Sequence, residues 1–329
     1  MSIALFTLGG TIAMGGVDPG AQGVVTRLTG EDLTAAVPGL AEIGLPLDVR
    51  DAHAVPSADL TYRQLLDVVD TASRAVTAGA TGVIVTQGTD TLEETAFLAD
   101  LVWPHDAPLV FTGAMRNPTL PGADGPANLL AAARVTAAPS TRGLGVLVAV
   151  NDEIHAARWV RKTHSTSTGT FSSPNAGPVG HVIEGRVRVL ARPERRVPLP
   201  RVDTGRLDAT RVALHTATLD DDALLLGGVA DACHGLVVAG FGVGHVRPAL
   251  APVLGALAER MPVVLTSRTG AGSVLRHTYG AIGSETDLRR RGLVDGGLLD
   301  PYKAKVLLRL LLAAGVDRDG VVAAFADHG

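Results

Sequence analysis

Short apolar runs alternate with helix-like patterns through the first part of the chain. The run Gly82-Val83-Ile84-Val85 has no polar side chain, as in a strand covered on both faces. Residues 62–76 instead repeat their apolar positions at helical spacing. The predicted strands are Ile3–Leu8, Leu47–Ala52, Gly82–Thr86, Leu109–Thr112 and Leu144–Val150, and the predicted helices are Gly30–Ala36, Tyr62–Val76, Leu92–Val102 and Ala127–Ala137. This alternation predicts an α/β fold with a mainly parallel sheet and helices on both faces.

The pattern breaks after residue 190, where arginine, proline and aspartate replace the apolar runs. Proline cannot donate a ladder hydrogen bond, so this stretch predicts an exposed linker. Beyond it we predict strands at Val212–Thr216, Gly235–Ala239 and Val263–Thr266, and helices near Asp221–Ala230, Val246–Glu259 and Pro301–Ala314. We therefore expect a larger N-terminal domain over residues 1–190, a linker over 191–210 and a smaller C-terminal α/β domain over 211–329.

The composition fits such a fold and narrows the class of ligand. Of the 329 residues 46% are hydrophobic and only 3% aromatic, so the cores should consist mainly of Ala, Val, Leu and Ile. The net charge is −4, and we interpret the arginine-rich stretch 192–201 as a solvated connection rather than a binding patch. These features favour a small polar metabolite as the ligand and argue against a nucleic acid.

Neither export nor a membrane is indicated. Cys233 is the only cysteine, so no disulfide can form within the chain. The first residues carry no basic leader. No apolar run approaches the roughly 20 residues that a membrane-spanning helix needs. We expect a cytoplasmic location and no association with a membrane.

A threonine closely follows the first predicted strand, in Thr7-Leu8-Gly9-Gly10-Thr11. The two glycines allow a sharp turn and a close approach of the backbone to a ligand at the sheet edge. The Thr11 hydroxyl could attack a carbonyl carbon there if another group takes its proton. From these residues alone, a turn threonine that bonds its own backbone is the more usual interpretation.

A second threonine follows another strand, in Gly88-Thr89-Asp90-Thr91-Leu92-Glu93-Glu94. Asp90 with Glu93, or Thr91 with Glu94, predicts a capping box that opens the next helix. The same turn offers backbone N–H groups to a carboxylate or an oxyanion, and an ionised Asp90 could hold an ammonium group. The residues alone favour the capping role.

Lysine is scarce, because only Lys162, Lys303 and Lys305 occur among 29 basic residues. Unlike an arginine, a lysine can give up its proton and act as a base. Lys162 lies among hydroxyl residues after a predicted strand, which makes it a candidate base, although chance placement explains it equally well. No histidine pair has metal-ligand spacing and no G-x-S-x-G motif is present, so neither a metal site nor a serine hydrolase is indicated.

Together these segments resemble the bacterial-type L-asparaginases over essentially the whole chain. The most specific parts are Thr7-Leu8-Gly9-Gly10-Thr11-Ile12-Ala13 and Thr86-Gln87-Gly88-Thr89-Asp90-Thr91-Leu92-Glu93-Glu94-Thr95. They are supported, in the expected order, by Gly113-Ala114-Met115-Arg116, Ala123-Asp124-Gly125-Pro126-Ala127-Asn128-Leu129 and Val150-Asn151-Asp152. Two threonine signatures at this spacing are specific, whereas either one alone is weak.

The resemblance implies hydrolysis of L-asparagine to L-aspartate and ammonia, with glutamine as a secondary substrate. Thr11, in the N-terminal domain, would be the nucleophile that forms an acyl-enzyme. Thr89, Asp90 and Lys162 would form a second hydroxyl–carboxylate–amine group that relays protons to and from a water molecule. No metal or other cofactor is implied.

The resemblance also implies how the substrate is held. Asp90 would bind the α-ammonium group, Ser57 would bind the α-carboxylate, and Thr89 and the Ala114 backbone would meet the reacting amide. Glu285 aligns with an acidic residue that family members contribute from a neighbouring subunit. The implied assembly is a homotetramer, a dimer of close dimers in which each dimer completes its own sites.

The chain departs from the family pattern at two positions. Family members usually place a tyrosine in the mobile loop after the nucleophile, whereas residues 12–29 contain none and Gly23 occupies that place. The residue after the substrate serine is commonly glutamine, but here it is Ala58. We therefore expect weaker binding of the substrate amino group. The segment Gly15–Gly20 is expected to form a hinged lid that uses other residues.

Two other functions stay open on the sequence alone. A subunit of a tRNA-dependent amidotransferase uses this fold to supply ammonia, but such subunits usually carry an extra N-terminal domain, whereas this chain starts at its first strand. A catalytically weakened amino-acid-binding homologue would also keep the fold. The missing tyrosine is the feature that keeps this second alternative open, although the motifs favour an active asparaginase.

Overall fold

The backbone forms two compact units. A computed structural model describes residues 1–15, 25–26, 28–200 and 202–329, and divides the chain into Met1–Pro198 and Leu199–Gly329. Within the predicted linker, residues 191–200 have no regular secondary structure. Thr204–Ala209 form a helix of the second unit, in which Leu207 is fully buried.

The first unit contains most of the strands. They are β1 (Ile3–Thr7), β2 (Met14–Gly15), β3 (Val25–Thr26), β4 (Leu47–Asp51), β5 (Gly82–Thr86), β6 (Leu109–Thr112), β7 (Val146–Val150), β8 (Glu153–Ala156), β9 (Arg161–Lys162), β10 (Phe171–Ser172), β11 (Gly180–Ile183) and β12 (Arg186–Val189). The described helices are α1 (Gly30–Ala35), α2 (Tyr62–Thr77), α3 (Leu92–Val102) and α4 (Gly125–Ala137).

Eight of these strands form one sheet in the order β12-β11-β8-β7-β6-β5-β1-β4. Strands β7, β6, β5, β1 and β4 run parallel, and β1, β5, β6 and β7 are buried at every position. The predicted mainly parallel sheet is confirmed. The antiparallel strands β8, β11 and β12 were not predicted. A tight turn at Asn151-Asp152 joins β7 to β8 and another at Glu184-Gly185 joins β11 to β12, and all four turn residues have positive φ angles.

The second unit is a smaller α/β layer structure. Its elements are α5 (Thr204–Ala209), β13 (Val212–Thr216), α6 (Val229–Ala232), β14 (Gly235–Gly240), α7 (Leu250–Arg260), β15 (Val263–Ser267), α8 (Glu285–Arg290), β16 (Val294–Asp295), α9 (Pro301–Ala313) and α10 (Arg318–His328). The four strands are parallel in the order β13-β14-β15-β16. Among the described helices of either unit, none is both long and apolar enough to cross a membrane.

The predicted helix over Asp221–Ala230 is wrong. A short 3₁₀ turn and the four-residue α6 occupy this part of the chain. The Asp221 carboxylate accepts hydrogen bonds from the Ala223 N–H at 3.1 Å and from His215 Nε2 at 2.7 Å, which holds the chain in a turn. Gly228 then adopts a left-handed conformation with a φ of 77°. Both features interrupt a continuous helix.

The turns after β1 and β5 pack backbone against backbone. A Cβ atom built on Gly10 would lie 2.2 Å from both the Cα and the N atom of Gly88. Gly10 also has a φ of 85° and a ψ of −173°, a combination that is essentially restricted to glycine. The absence of a side chain at Gly10 is therefore what allows the two strand ends to meet.

We predict that Gly10→Ala lowers the free energy of unfolding far more than Gly44→Ala. Gly44 also has a positive φ, of 72°, but a Cβ atom there would meet nothing within 4 Å. The control should cost about 1 kcal/mol of left-handed backbone strain, and Gly10→Ala should add about 1–3 kcal/mol of overpacking. Urea denaturation of the three proteins measures the difference. Equal losses for the two variants would show that the strand-end turns do not pack as described.

A second prediction concerns acid stability. Burial acts to raise the pKa of Asp221, but hydrogen bonds from the Ala223 N–H and from His215 outweigh it, so the pKa lies below its ordinary value of 3.8. Such a carboxylate stabilises the fold above its unfolded pKa, and the contribution is lost as the pH falls through the folded pKa. The stability difference between wild type and Asp221→Asn should be present at neutral pH and shrink below pH 3.8.

Urea denaturation at a series of pH values checks this expectation. A difference between wild type and Asp221→Asn that stays the same down to the lowest pH at which both proteins fold would contradict it.

Candidate active site

Two threonines leave the carboxyl edge of the large sheet from adjoining points. Strands β1 and β5 pair in parallel, with Thr7 opposite Thr86. Because Gly10 touches Gly88, the residues that follow them, Thr11 and Thr89, start from backbones already in contact. Thr11 is partly exposed at the start of a 3₁₀ turn, while Thr89 is buried. This is the sheet edge at which open α/β sheets bind ligands.

Lys162 joins the second threonine to a carboxylate. Its Nζ atom donates to Thr89 Oγ1 at 3.0 Å and to Asp90 Oδ1 at 2.8 Å. The Lys162 side chain is only 16% exposed, whereas the Asp90 side chain is 72% exposed. Asp90 can therefore contact a ligand in solution while it pairs with the lysine. Thr89 Oγ1 in turn donates to Met115 Sδ at 3.3 Å.

The predicted capping box at the start of α3 is wrong. Thr91 is the N-cap residue, but its side chain makes no capping hydrogen bond. The Thr91 hydroxyl instead donates to the Ser57 carbonyl at 3.0 Å, and Glu93 Oε2 accepts the backbone N–H of Lys162 at 2.9 Å. The polar side chains of this turn thus connect it to other loops rather than to its own helix.

Ser57 lies directly against the same turn. Its Oγ atom accepts the Asp90 N–H at 3.2 Å, and the residue is only 3% exposed. A Cβ atom on Gly88 would lie 2.8 Å from Ser57 Oγ, so glycine is needed at position 88 for this contact. Ala58, where the family pattern has an amide side chain, is exposed.

The turn after β6 brings Ala114 to the same edge. Ala114 is 1% exposed, and a Cβ atom on the preceding Gly113 would lie 3.2 Å from the Thr89 side chain. Asn128 Nδ2 donates to the Gly113 carbonyl at 2.9 Å, and Asn128 Oδ1 accepts the Asn151 N–H at 2.9 Å. This one buried amide therefore links the turns after β6 and β7.

Asp124 fixes the remainder of that turn. Its carboxylate accepts the Met115 N–H at 3.0 Å and the Arg116 N–H at 2.8 Å. No role was predicted for Asp124 or Asn128 from the sequence. Their position before and in the first turn of α4, where the following residues are apolar, is the signal that could have identified them as residues that hold a loop.

Glu285 lies in the second unit and is completely buried. Its Oε1 atom accepts the N–H groups of Thr278 and Tyr279 at 2.9 and 2.8 Å, and its Oε2 atom lies 3.1 Å from His245 Nε2. Burial acts to raise the pKa of Glu285, but these hydrogen bonds outweigh it and lower the pKa below 4.5. The carboxylate is therefore ionised and held in a fixed orientation by its own unit.

The lid was predicted over Gly15–Gly20. From residue 16 onward it lies outside the described residues, and so does the Gly23 position that lacks the family tyrosine. Within the part of the chain that is described, no group of three or more histidine, cysteine, aspartate or glutamate side chains is arranged to hold a metal ion.

The arrangement suits acyl transfer. A hydroxyl bonded to an amine, with a carboxylate on the other side of that amine, can pass a proton to and from a reacting group. A second hydroxyl from the adjoining turn provides a nucleophile, and backbone N–H groups at the two turns can stabilise an oxyanion.

Known proteins are similar to this chain in sequence and in fold. Residues 2–195 match the family described as "Asparaginase, N-terminal", and residues 211–325 match "Glutaminase/Asparaginase C-terminal domain". A Deinococcus radiodurans protein named "Probable L-asparaginase" is 34% identical over 97% of this chain and 95% of its own. A Haemophilus influenzae protein named "Probable L-asparaginase periplasmic" is 33% identical over 99% and 93%.

A solved structure agrees with these matches. The crystal structure of a "Probable Cytoplasmic L-asparaginase" from Campylobacter jejuni has a TM-score of 0.87 and 30% identity, covering 99% of both chains. The two family matches together span almost the entire sequence, in the order in which the two units occur. The chain therefore belongs to the asparaginase family.

Proposed function

We propose that this protein hydrolyses L-asparagine to L-aspartate and ammonia through an acyl-enzyme formed on Thr11. The observation that carries the proposal is the contact of Lys162 Nζ with both Thr89 Oγ1 and Asp90 Oδ1. The turn that contains Thr89 and Asp90 packs against the turn bearing Thr11. The L-asparaginase names of the similar proteins support the same substrate. Neither the amidotransferase subunit nor the weakened binding protein finds support in the comparisons.

The proposed reaction has two steps. Thr11 Oγ1 attacks the side-chain amide carbon, the proton of its hydroxyl is passed to the departing nitrogen, and ammonia leaves as the C–N bond breaks. A water molecule then attacks the acyl-enzyme and releases aspartate, with the Thr89–Lys162–Asp90 group accepting its proton. Backbone N–H groups of the two glycine turns stabilise the oxyanion, each contributing about 3 kcal/mol.

Substrate binding uses the rest of the site. The exposed carboxylate of Asp90 binds the α-ammonium group, Ser57 binds the α-carboxylate, and Thr89 and the Ala114 backbone meet the amide. With Ala58 in place of an amide residue, one polar contact to the substrate is absent. Glutamine is longer by one methylene, a difference that a pocket discriminates by only about 1–3 kcal/mol, so it is proposed as a secondary substrate.

The first unit is proposed as the catalytic domain. A cytoplasmic location is proposed from the name of the Campylobacter jejuni protein, although the Haemophilus influenzae relative is named as periplasmic.

We also propose a homotetramer built as a dimer of dimers. In it Glu285 of one copy completes the site of its neighbour. Glu285 is fully buried within its own unit, so this role requires its carboxylate to become accessible to the substrate when two copies associate.

Ammonia release from L-asparagine tests the proposed function. Thr11→Ala should lower kcat by at least about 10⁴-fold, because removal of a nucleophile has effects of this size in hydrolases. Lys162→Arg should also be nearly inactive, because an arginine keeps the positive charge but cannot accept a proton. Thr77→Ala, on an exposed position of α2, serves as the matched control and should keep wild-type activity. Activity that survives in Thr11→Ala would exclude Thr11 as the nucleophile.

Mixed oligomers test the shared site. Thr11→Ala and Glu285→Gln proteins should each be weakly active, and refolding an equal mixture should restore about one quarter of wild-type activity, because half of the dimers then contain one intact site. The glutamine retains an oxygen for the Thr278 and Tyr279 N–H groups. A mixture no more active than its two components would exclude the contribution of Glu285 to a neighbouring copy.

A further inference from the structure

A buried carboxylate lies behind the lysine of the site. Glu93 is in the first turn of α3 and only 7% exposed. Its Oε2 atom accepts the backbone N–H of Lys162 at 2.9 Å, and Arg161 Nε lies 3.9 Å from the same oxygen. A hydrogen bond from a backbone N–H to an ionised carboxylate is about twice as strong as a neutral one.

This contact takes the place of a neighbouring strand. Lys162 lies in β9, which has two residues and, among the described strands, pairs only with the equally short β10. An isolated two-stranded ribbon is marginally stable in water. In a wider sheet, a backbone carbonyl of a further strand would accept the Lys162 N–H. Here the Glu93 carboxylate accepts it instead. The position of the Lys162 backbone therefore depends on a side chain of α3.

The partners of the lysine head group lie in the turn just before the same helix. Helix α3 begins at Leu92, directly after the turn that contains Thr89 and Asp90. Lys162 is thus tied to this segment twice, through its backbone by Glu93 and through Nζ by Thr89 and Asp90. The ion pair with Asp90 is largely exposed on the carboxylate side, and such pairs fix geometry weakly.

We propose that Glu93 is a positioning residue for catalysis, which holds the Lys162 backbone so that Nζ stays within reach of Thr89 Oγ1. The proposal rests on the function proposed above. Glu93 acts through Lys162 and does not touch the substrate. A displacement of a catalytic group by about 1 Å can lower a rate about 100-fold, so a tether of this kind has a measurable effect.

Four variants separate positioning from helix stability. Glu93→Ala removes the tether, Glu93→Gln keeps an oxygen that can accept the Lys162 N–H, and Glu93→Asp keeps the charge but shortens its reach. Glu94→Ala is the matched control, because Glu94 is also an acidic residue in the first turn of α3. Steady-state ammonia release gives kcat and KM, and urea denaturation gives stability.

We expect Glu93→Ala to lower kcat by about 100-fold with little change in KM. Glu93→Asp should lower kcat as well, whereas Glu93→Gln and Glu94→Ala should keep most of it. In a Lys162→Met background, Glu93→Gln and Glu93→Ala should have equal activities, since there is no amine left to position. A further loss in that background, or equal effects of Glu93→Ala and Glu94→Ala, would overturn the proposal.

Crystal structures provide a readout that does not depend on activity. Glu93→Asp preserves the charge and can be used even if Glu93→Ala does not fold. In Glu93→Asp the distance between Lys162 Nζ and Thr89 Oγ1 should lengthen beyond its 3.0 Å. An unchanged distance would contradict the positioning role. Wild-type protein that releases no ammonia, with the distance lengthened in the variant, would instead disprove the proposed function and leave the tether established.

Discussion

The contact between the backbones of Gly10 and Gly88 sets the distance between the two threonines. Parallel pairing of β1 and β5 brings their ends to the same edge of the sheet, but strand spacing alone leaves room for side chains between the turns. That room is absent because both residues are glycine and Gly10 adopts a conformation that other residues avoid. The backbones of these two glycines therefore decide how closely the turns that carry Thr11 and Thr89 can approach each other.

Four polar side chains, of which Ser57, Asn128 and Glu93 are buried and Asp124 is partly buried, hold the surrounding turns by bonding backbone from another part of the chain. Ser57 accepts from the turn after β5, Asp124 and Asn128 fix the turn after β6, and Glu93 holds β9. A buried polar group is stable only when it is hydrogen-bonded, so each of these side chains has one favoured arrangement. The loops are fixed in this way although they contribute little to the apolar core.

The regular part of the fold was predictable, because strands buried on both faces leave continuous apolar runs and α2 leaves a helical stripe. The helix expected over 221–230 failed because the Asp221 side chain bonds to a nearby backbone N–H and forms a turn, which apolar spacing does not reveal. The expected capping box at Asp90 and Glu93 failed for a related reason. Both carboxylates bond Lys162, which is distant in the sequence, and local patterns carry no information on such contacts.

The central claim is that Thr11, rather than Thr89, carries the acyl group. The most direct measurement is to quench the enzyme with acid during turnover of L-asparagine and to locate the aspartyl adduct by mass spectrometry of the peptides. The adduct should be found on the peptide that contains Thr11, and it should disappear in Thr11→Ala. An adduct on Thr89, or turnover with no adduct on either threonine, would contradict the account.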